Sequence, residues 1–520
     1  MHLGDLPLVW VDAVRWLNYS GTVLILAIAF ATAASVVPQE FVVGAGPDSS
    51  PSGAFQARLG VYPLNVNVAE PLVRLTPDYR VEPQLATSWE YRGRNTWRFH
   101  LRKGVRFHDG QPFTAEAVRW SIAEQVRGGF TSFPLKADAV RVVDPLTVDF
   151  TTSEPDLRLP EQLVHPNYSI FAPGTDPRTK PIGTGPFKFV EYKAYDHIAV
   201  ERNDGYWGEK ARLERIRFRF LPDPTTRVLA LLAGEVDLVM DVPREQVAAV
   251  AGRSELRVVR APAGQMLALQ LNAHGKEPYT SLSDGRVRRA LALSIDQSQL
   301  VRAIWHDEAL PLRTMTIPSI LGKHAASLRG FDFNPEEAGR LLEQAGWRRS
   351  GAFREKAGRP LRLKLIANPE IDPAAVEFVQ AQLRVAGMDV QWDRLPDVAS
   401  FAARGTAGEC DLNLAAANQN DANPLFLPAL IFYSRSLRPF VRWYAAGPAF
   451  DKVVDAGLSA SDPVEGRRLA AEAMRIVVDE EAIEVPLAAL FRIYGLRDSV
   501  DGFVPHPSQT NQSWTRVYRK

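Results

Sequence analysis

The stretch Val81–Ile122, VEPQLATSWEYRGRNTWRFHLRKGVRFHDGQPFTAEAVRWSI, constrains the fold of this chain more than any other. Trp97, Phe99 and Leu101 alternate with Arg98, His100 and Arg102, the period of a strand with one buried face, and Val105 and Phe107 resume the alternation after Lys103-Gly104. Asp109-Gly110 supplies a turn, because glycine accepts the positive φ that tight turns require. Thr114 can cap a following helix whose apolar stripe runs through Val118, Ile122 and Val126. The expected order is strand, turn, strand, turn, helix, and none of it has a catalytic look.

At 520 residues the chain can build two or three domains with well-buried cores. Its 61 basic and 60 acidic side chains leave a net charge of +1, so no bulk field draws nucleic acid or an anionic membrane, and nucleic-acid binding is not expected. Cys410 is the single cysteine, which excludes an intramolecular disulfide and any multi-cysteine metal or iron–sulfur site. Near the N-terminus, GTVLILAIAFATAA from Gly21 to Ala34 is an uncharged apolar run, short for a membrane span and right for a signal-peptide core. Ala31-Thr32-Ala33 offers a cleavage site, while Asp5 and Asp12 offset Arg15 ahead of it, so a retained anchor stays open beside a cleaved signal over residues 1–34. No cysteine follows directly on the apolar run, so a lipoprotein anchor is not expected.

The stretch Val81–Ile122 resembles the extracytoplasmic solute-binding proteins of family 5, the dipeptide, oligopeptide and nickel receptors of ABC importers. The family's wording there is close to P-x-L-A-x-S-W-E followed by F-x-L-R-x-G-V-x-F-H-D-G-x-P-x-T-A-E-D-V. Ala117 departs from it, standing where the family commonly has Asp, and the lost capping box weakens that helix start by about 1 kcal/mol. Further matches occur in family order: Pro181 to Phe187 (PIGTGPF), Asn203 to Gly208 (NDGYWG), Pro222 to Arg227 (PDPTTR) and Gly234 to Leu238 (GEVDL). Asp284 to Ile304 and Asn334 to Trp347 match two family helices, and the resemblance runs over roughly residues 40 to 520. It implies an α/β fold of the periplasmic-binding-protein type, a two-lobe clamshell of class II with an extra subdomain. Lobe I would comprise residues 41–63, 184–262 and 487–520, the extra subdomain 64–183, and lobe II 263–486.

Read from the residues themselves, 135–152 form a hairpin about Asp144-Pro145, and Leu229, Leu231 and Leu232 give the helix 225–233 an apolar side. Arg286, Arg288 and Arg289 are expected on a solvated helix face. Gly183-Thr184-Gly185-Pro186 leads into a strand and lacks the Gly-Lys-Ser/Thr ending of a phosphate loop, so a tight chain crossing is expected there. No G-x-S-x-G, H-E-x-x-H, P-loop or G-x-G-x-x-G occurs, the nine histidines are dispersed, and no catalytic group, metal site or cofactor is expected.

Binding is therefore the expected destination. The resemblance places one wall of the ligand cleft in Leu412 to Ser434, LNLAAANQNDANPLFLPALIFYS. Peptide-binding members carry there an Asp that pairs with the ligand's amino group; counting back from Pro424 puts Asn420 at that place, with Asp421 beside it. Asn418, Gln419, Asn420 and Asp421 are the candidates on this side, and they could equally be loop residues turning the chain. Tyr62 aligns with a ligand-facing position of the nickel branch, with Arg127, Phe130 and Arg313 as weaker neighbours. Asn418 and Ser436 stand where the nickel receptors bring a Trp and a His, and VHPNYSIFA lacks their arginines, which demotes a nickel chelate. The expected protein is a monomeric, exported receptor that captures a peptide or similar small polar solute by hinge closure and hands it to an ABC permease. An exported amidase- or esterase-like hydrolase and a membrane-retained solute-sensing domain are the competing readings.

Overall fold

Two long strands, Leu256–Leu271 and Glu484–Arg497, run antiparallel through the centre of one large sheet. The second reads EVPLAALFRIYGLR, a nearly continuous apolar run, and is buried along most of its length, as a strand covered on both faces must be. The computed structural model describes residues 40–46, 66–128, 135–153, 155–177, 179–436, 441–460 and 462–520. The N-terminal apolar run and its cleavage site lie outside them. Among the described residues, no helix is long and apolar enough to cross a membrane.

Across its width the sheet runs Asp389–Asp393, Arg362–Ala367, Leu412–Asn418, Leu256–Leu271, Glu484–Arg497, Leu238–Val239, Phe41–Ala45, Arg215–Phe220, His197–Arg202 and Phe187–Lys193. An eleventh strand, Ala309–Pro311, pairs with Glu484–Arg497. Parallel pairs lie on either side of the antiparallel centre: Arg362–Ala367 with both of its neighbours, and Phe41–Ala45 with both of its own. Parallel neighbours need crossovers, and helices such as Pro373–Val385 supply them, which makes each flank an α/β layer. The two flanks own separate apolar cores, one around Leu269, Leu291, Leu363 and Val379, the other around Phe41, Phe218, Tyr494 and Trp514. This is the expected two-lobe α/β architecture.

The pairing of the two central strands slips at two places, between Leu267 and Ala268 and, at mid-length, between Ala261 and Gln265. Gly264 sits in that irregularity, and a Cβ there would lie 1.8 Å from the Pro507 carbonyl oxygen, so only glycine lets the C-terminal segment pass over it.

The extra subdomain is a four-stranded antiparallel sheet in the order Ala86–Gly93, Thr96–Leu101, Thr147–Thr151, Val140–Asp144, covered by the helix Ala115–Arg127. The expected hairpin about Asp144-Pro145 is present. The second strand expected at Val105 and Phe107 is not: Gly104 at φ +83° turns the chain out of the sheet, and a single bridge, Arg106 to Pro112, remains. Thr96–Leu101 pairs instead with the preceding segment, Trp89 facing Phe99, and across the sheet Arg98 holds Asp149 by two bonds of 2.8 and 3.0 Å. Thr114 does stand at the N-cap of Ala115–Arg127, without a side-chain cap bond; Ala117 is buried, so an acidic residue there would lose its solvation.

Two expectations about helices are corrected. Leu229 is 57% exposed, and the buried side of Pro224–Ala233 carries Val228, Leu231 and Arg227, whose guanidinium donates to the Leu221 and Pro222 carbonyls. Arg288 is likewise buried rather than solvated and donates to the carbonyls of Leu282, Ser283 and Glu481.

The glycines after Pro181 make the tight crossing. A Cβ on Gly183 would meet the Val68 carbonyl oxygen at 2.0 Å, and one on Gly185 the Asn67 carbonyl oxygen at 2.3 Å. Beside them Glu70 is fully buried and accepts from Thr184 Oγ1 at 2.7 Å, Tyr206 Oη at 2.6 Å and Trp207 Nε1 at 2.9 Å, and from Gln84. Backbone atoms on both sides cannot give way, so Gly185→Ala is expected to cost at least about 2 kcal/mol in urea unfolding. Glu484 provides a second prediction. Neither of its carboxylate oxygens has a hydrogen-bond partner, and burial pushes the group up to about 8. The folded chain then holds a proton that the unfolded chain releases near 4.5. Stability is full below that pH, falls as pH rises toward 8, and ends on the order of 5 kcal/mol lower. Glu484→Gln should shrink the difference in urea midpoint between about pH 5 and about pH 9, and an unaltered difference would contradict the assignment.

Candidate functional site

The strand Leu412–Asn418 buries Leu412 and Leu414 in the core and then runs out beside the slipped pairing, placing Asn418 opposite Gln265. Its end therefore delivers residues 418–421 to the line where the two flanks of the sheet meet.

Beyond the strand the chain forms a loop braced from within. Gln419 is fully buried, and its Nε2 donates to the Asp421 carbonyl at 3.1 Å, to Asp421 Oδ1 at 3.1 Å and to the Asn423 carbonyl at 3.0 Å. Asp421 Oδ1 also accepts from the Asn423 backbone at 3.0 Å, and Asn423 Oδ1 accepts from the Leu425 backbone at 2.9 Å, which turns the chain into the helix Phe426–Phe432. Burial, with smaller contributions from Glu161 and Asp156, drives the Asp421 carboxyl well above the usual carboxylate range. Asp421 is therefore held toward its neutral form inside the loop.

Asn418 and Asn420 reach outward to other segments. Asn418 Oδ1 accepts from Arg492 Nη2 at 3.2 Å, and Asn420 Oδ1 accepts from Ser508 Oγ at 3.2 Å. Tyr79 comes from the extra subdomain; its hydroxyl donates to the Gln419 carbonyl at 3.1 Å, and its ring lies 6.2 Å from that of His506. His506 Nδ1 accepts from the Ser508 backbone at 3.0 Å, its Nε2 reaches the Leu75 carbonyl at 3.3 Å, and burial lowers the imidazole to about 4, so it is neutral at pH 7. Three distant parts of the chain thus converge on residues 418–420, and the converging groups are uncharged apart from Arg492.

The loop also rests on the extra subdomain from behind. The Ala422 backbone donates to the Glu161 carbonyl at 3.4 Å, and the Leu157 backbone to the Leu458 carbonyl at 2.9 Å. Arg158, almost wholly buried, donates to Glu161 Oε1 at 3.1 Å and to the Ala460 carbonyl at 2.6 Å. Burial raises Glu161 to about 7, with Arg158 opposing. A cavity of about 880 Å³ opens along this seam, lined by Tyr79, Trp89, Trp97, Arg158, Pro424 and Arg467.

Of the residues singled out in the sequence, the structure brings Asn418, Gln419, Asn420 and Asp421 together at the seam between the flanks, the two asparagines bonded outward and Gln419 and Asp421 inward. Tyr62 and Phe130 lie outside the described residues. Arg127 pairs with Glu124 on its own helix, and Arg313 with Asp332 at 2.7 Å, so neither joins this cluster. Tyr79, Arg492, His506 and Ser508 are additions. Only Arg492 had a local signal, as a charge set in the apolar run ALFRIYGL of a central strand. Among the described residues, no three His, Cys, Asp or Glu side chains are grouped as metal ligands, and burial pushes the Cys410 thiol up to about 12.

Comparison with known proteins agrees with this architecture. Residues 80–437 match the family model described as bacterial extracellular solute-binding proteins, family 5 middle. The nickel-binding periplasmic protein of Escherichia coli K12 is 29% identical over 344 residues, covering 62% of this chain and 65% of that relative, just under two thirds of its length. Di/tripeptide-binding protein 2 of Pseudomonas aeruginosa UCBPP-PA14 is 26% identical over an alignment covering 93% of this chain and 96% of the relative. Among solved structures, NikA from Brucella suis in complex with Fe(III)-EDTA superposes with a TM-score of 0.79 at 24% identity, covering 92% of this chain and 100% of that one. With the family match spanning more than half of its length, the chain belongs to the family 5 bacterial extracellular solute-binding proteins.

Proposed function

We propose that this protein is the solute-binding receptor of an ABC importer, which captures a peptide or similar small polar solute between two lobes and presents the closed form to a membrane permease. The observation that carries the reading is the site's position. Asn418 and Asn420 lie at the end of a strand, beside the slip in the two strands that connect the flanks of the sheet. A solute held there touches both flanks, so its binding energy favours their approach. We place lobe I in residues 41–63, 184–262 and 487–520, the extra subdomain in 64–183 and lobe II in 263–486, with the 1–34 segment directing export to the periplasm or another extracytoplasmic site.

Asn418 and Asn420 would present amide groups to the solute, and Tyr62 would line the opposite wall. Gln419 and Asp421 would hold the loop that carries them. The relatives named as binding nickel and di- or tripeptides bound the solute class without selecting a member of it. No covalent chemistry is required, and the protein would act as a monomer whose partners are the solute and the permease.

Native mass spectrometry of mildly purified protein is expected to show a co-purifying mass of a few hundred daltons, released unchanged on unfolding. Small-angle scattering should show a smaller radius of gyration with solute than after its removal. A ligand recovered in cleaved form would instead support a hydrolase, and identical scattering curves would sink the closure mechanism. Asn420→Ala, which removes one bond to Ser508 and one amide facing the site, is expected to weaken solute binding about tenfold in calorimetry. Its melting temperature should stay within a few degrees of the parent.

A further inference from the structure

Arg492 is out of place in its strand. Its neighbours Leu490, Ile493 and Tyr494 are apolar or aromatic, and it pairs across the strands with Ala261, the last regular position before the slip toward Gln265. The side chain is only 14% exposed. A guanidinium carries five N–H donors and is not neutralised in a protein, so a cation sunk this far needs partners for most of them.

Its described partners fall short of that. Nη2 donates to the neutral Asn418 at 3.2 Å. Nη1 stands 3.6 Å from Asp241 Oδ1, outside hydrogen-bond range, and that carboxylate is 42% exposed, so solvent screens the attraction. Nε is buried without a hydrogen-bond partner. Among the described residues, Arg492 is the only cation hydrogen-bonded to any of Asn418–Asp421. The groups that converge with it are Asn420, Ser508 and Tyr79, all uncharged. The nearby Asp421 is fully buried, its Oδ1 bonded to Gln419 and Asn423 within its own loop and its Oδ2 without a hydrogen-bond partner, a setting that favours the neutral carboxyl.

We infer that Arg492 anchors a carboxylate of the solute, so that the cleft selects small anionic solutes carrying a carboxylate group and rejects cations. This rests on the receptor reading and names its substrate class. The guanidinium fork presents parallel N–H donors that match the two oxygens of a carboxylate, and the partly desolvated setting strengthens such a pair over its worth in water. Of the two acids near the site, Asp421 is buried and held toward its neutral form, and Asp241 already faces Arg492 at 3.6 Å, so neither offers an amine an uncompensated charge. Because Arg492 touches Asn418 on one flank and faces Asp241 on the other, a carboxylate bound to it sits where both flanks meet.

The test is calorimetry on the full chain, stripped of any co-purified solute, against five probes: trialanine, trialanine amide, succinate, citrate and spermidine. Trialanine or one of the free acids should bind, with the amide and spermidine at least about thirtyfold weaker. A preference for trialanine identifies a peptide C-terminus as the source of the carboxylate, and a preference for succinate or citrate identifies a free organic acid; either supports the inference. Arg492→Gln and Asn418→Asp should each lose at least about thirtyfold, the second because the new carboxylate occupies the anchor from within. Arg492→Lys keeps the charge without the fork and should lose about tenfold. Circular dichroism and melting of all three variants guard against misfolding, and Asn418→Asp leaves the strand bearing Arg492 untouched. Binding of the same acid with parental affinity by Arg492→Gln, or equal binding of trialanine and its amide, overturns the role of Arg492 and leaves the receptor reading standing. No binding of any probe, together with a native mass free of solute, overturns both.

Discussion

Everything distinctive in this structure depends on two strands being shared. Leu256–Leu271 and Glu484–Arg497 are hydrogen-bonded to each other along nearly their whole length, and each flank of the sheet is built outward from them. A bonded antiparallel pair bends where its ladder is interrupted, because an irregular pairing holds fewer of its groups in fixed register. One interruption falls between Ala261 and Gln265, at mid-length, and a second between Leu267 and Ala268, with separate apolar cores on either side of the pair. Packed cores move as units and do not deform continuously. The irregular stretches are where bending the pair would break the fewest ladder bonds, and residues placed beside them sit where the flanks join.

The electrostatics around that slip have one direction. Burial is the first cause of the upward shift of Asp421, Glu161 and Asp156; Glu161 and Asp156 add to the shift of Asp421, and Asp156 to that of Glu161. Arg158 is the buried cation bonded among them, and its hydrogen bonds go to Glu161 and to a backbone carbonyl. The acids thus lean toward neutrality, and the seam is less acidic than its composition suggests. Sequence alone leaves open whether Asp421 presents a charge or turns the chain; burial in a loop braced by Gln419 pushes its carboxyl toward the neutral form.

Local patterns in the sequence carried the fold a long way. The alternation of Trp97, Phe99 and Leu101, the hairpin at Asp144-Pro145 and the glycines at 183 and 185 each state a geometry that the structure contains. Where local reading failed, a distant partner decided the matter. Val105 and Phe107 alternate like a strand, but Ala86–Gly93 occupies the sheet edge they would need. Arg288 looks solvated on a helical wheel, yet carbonyls at 282, 283 and 481 need donors at that spot. The candidate site shows the same division. Asn418–Asp421 could be counted from Pro424, whereas Tyr79 and Ser508 lie hundreds or scores of residues away in sequence, and nothing in their surroundings announces that they meet the loop.

The stapled crossing at Glu70 bears on how the chain reaches this state. Thr184 bonds to Glu70, and the Gly185 backbone to the Val68 carbonyl, so the segment between them leaves and rejoins the main body at one point. Its ends are held together whether or not its interior is ordered. Closing a loop of that length costs entropy that grows only with the logarithm of the number of residues, so the cost hardly changes if the insert is lengthened or trimmed. Beyond that crossing the extra subdomain is held by its packed face against residues 419–460, through Tyr79, Leu157 and Arg158. Variation in the length of its outlying loops can accumulate without disturbing either the crossing or that face.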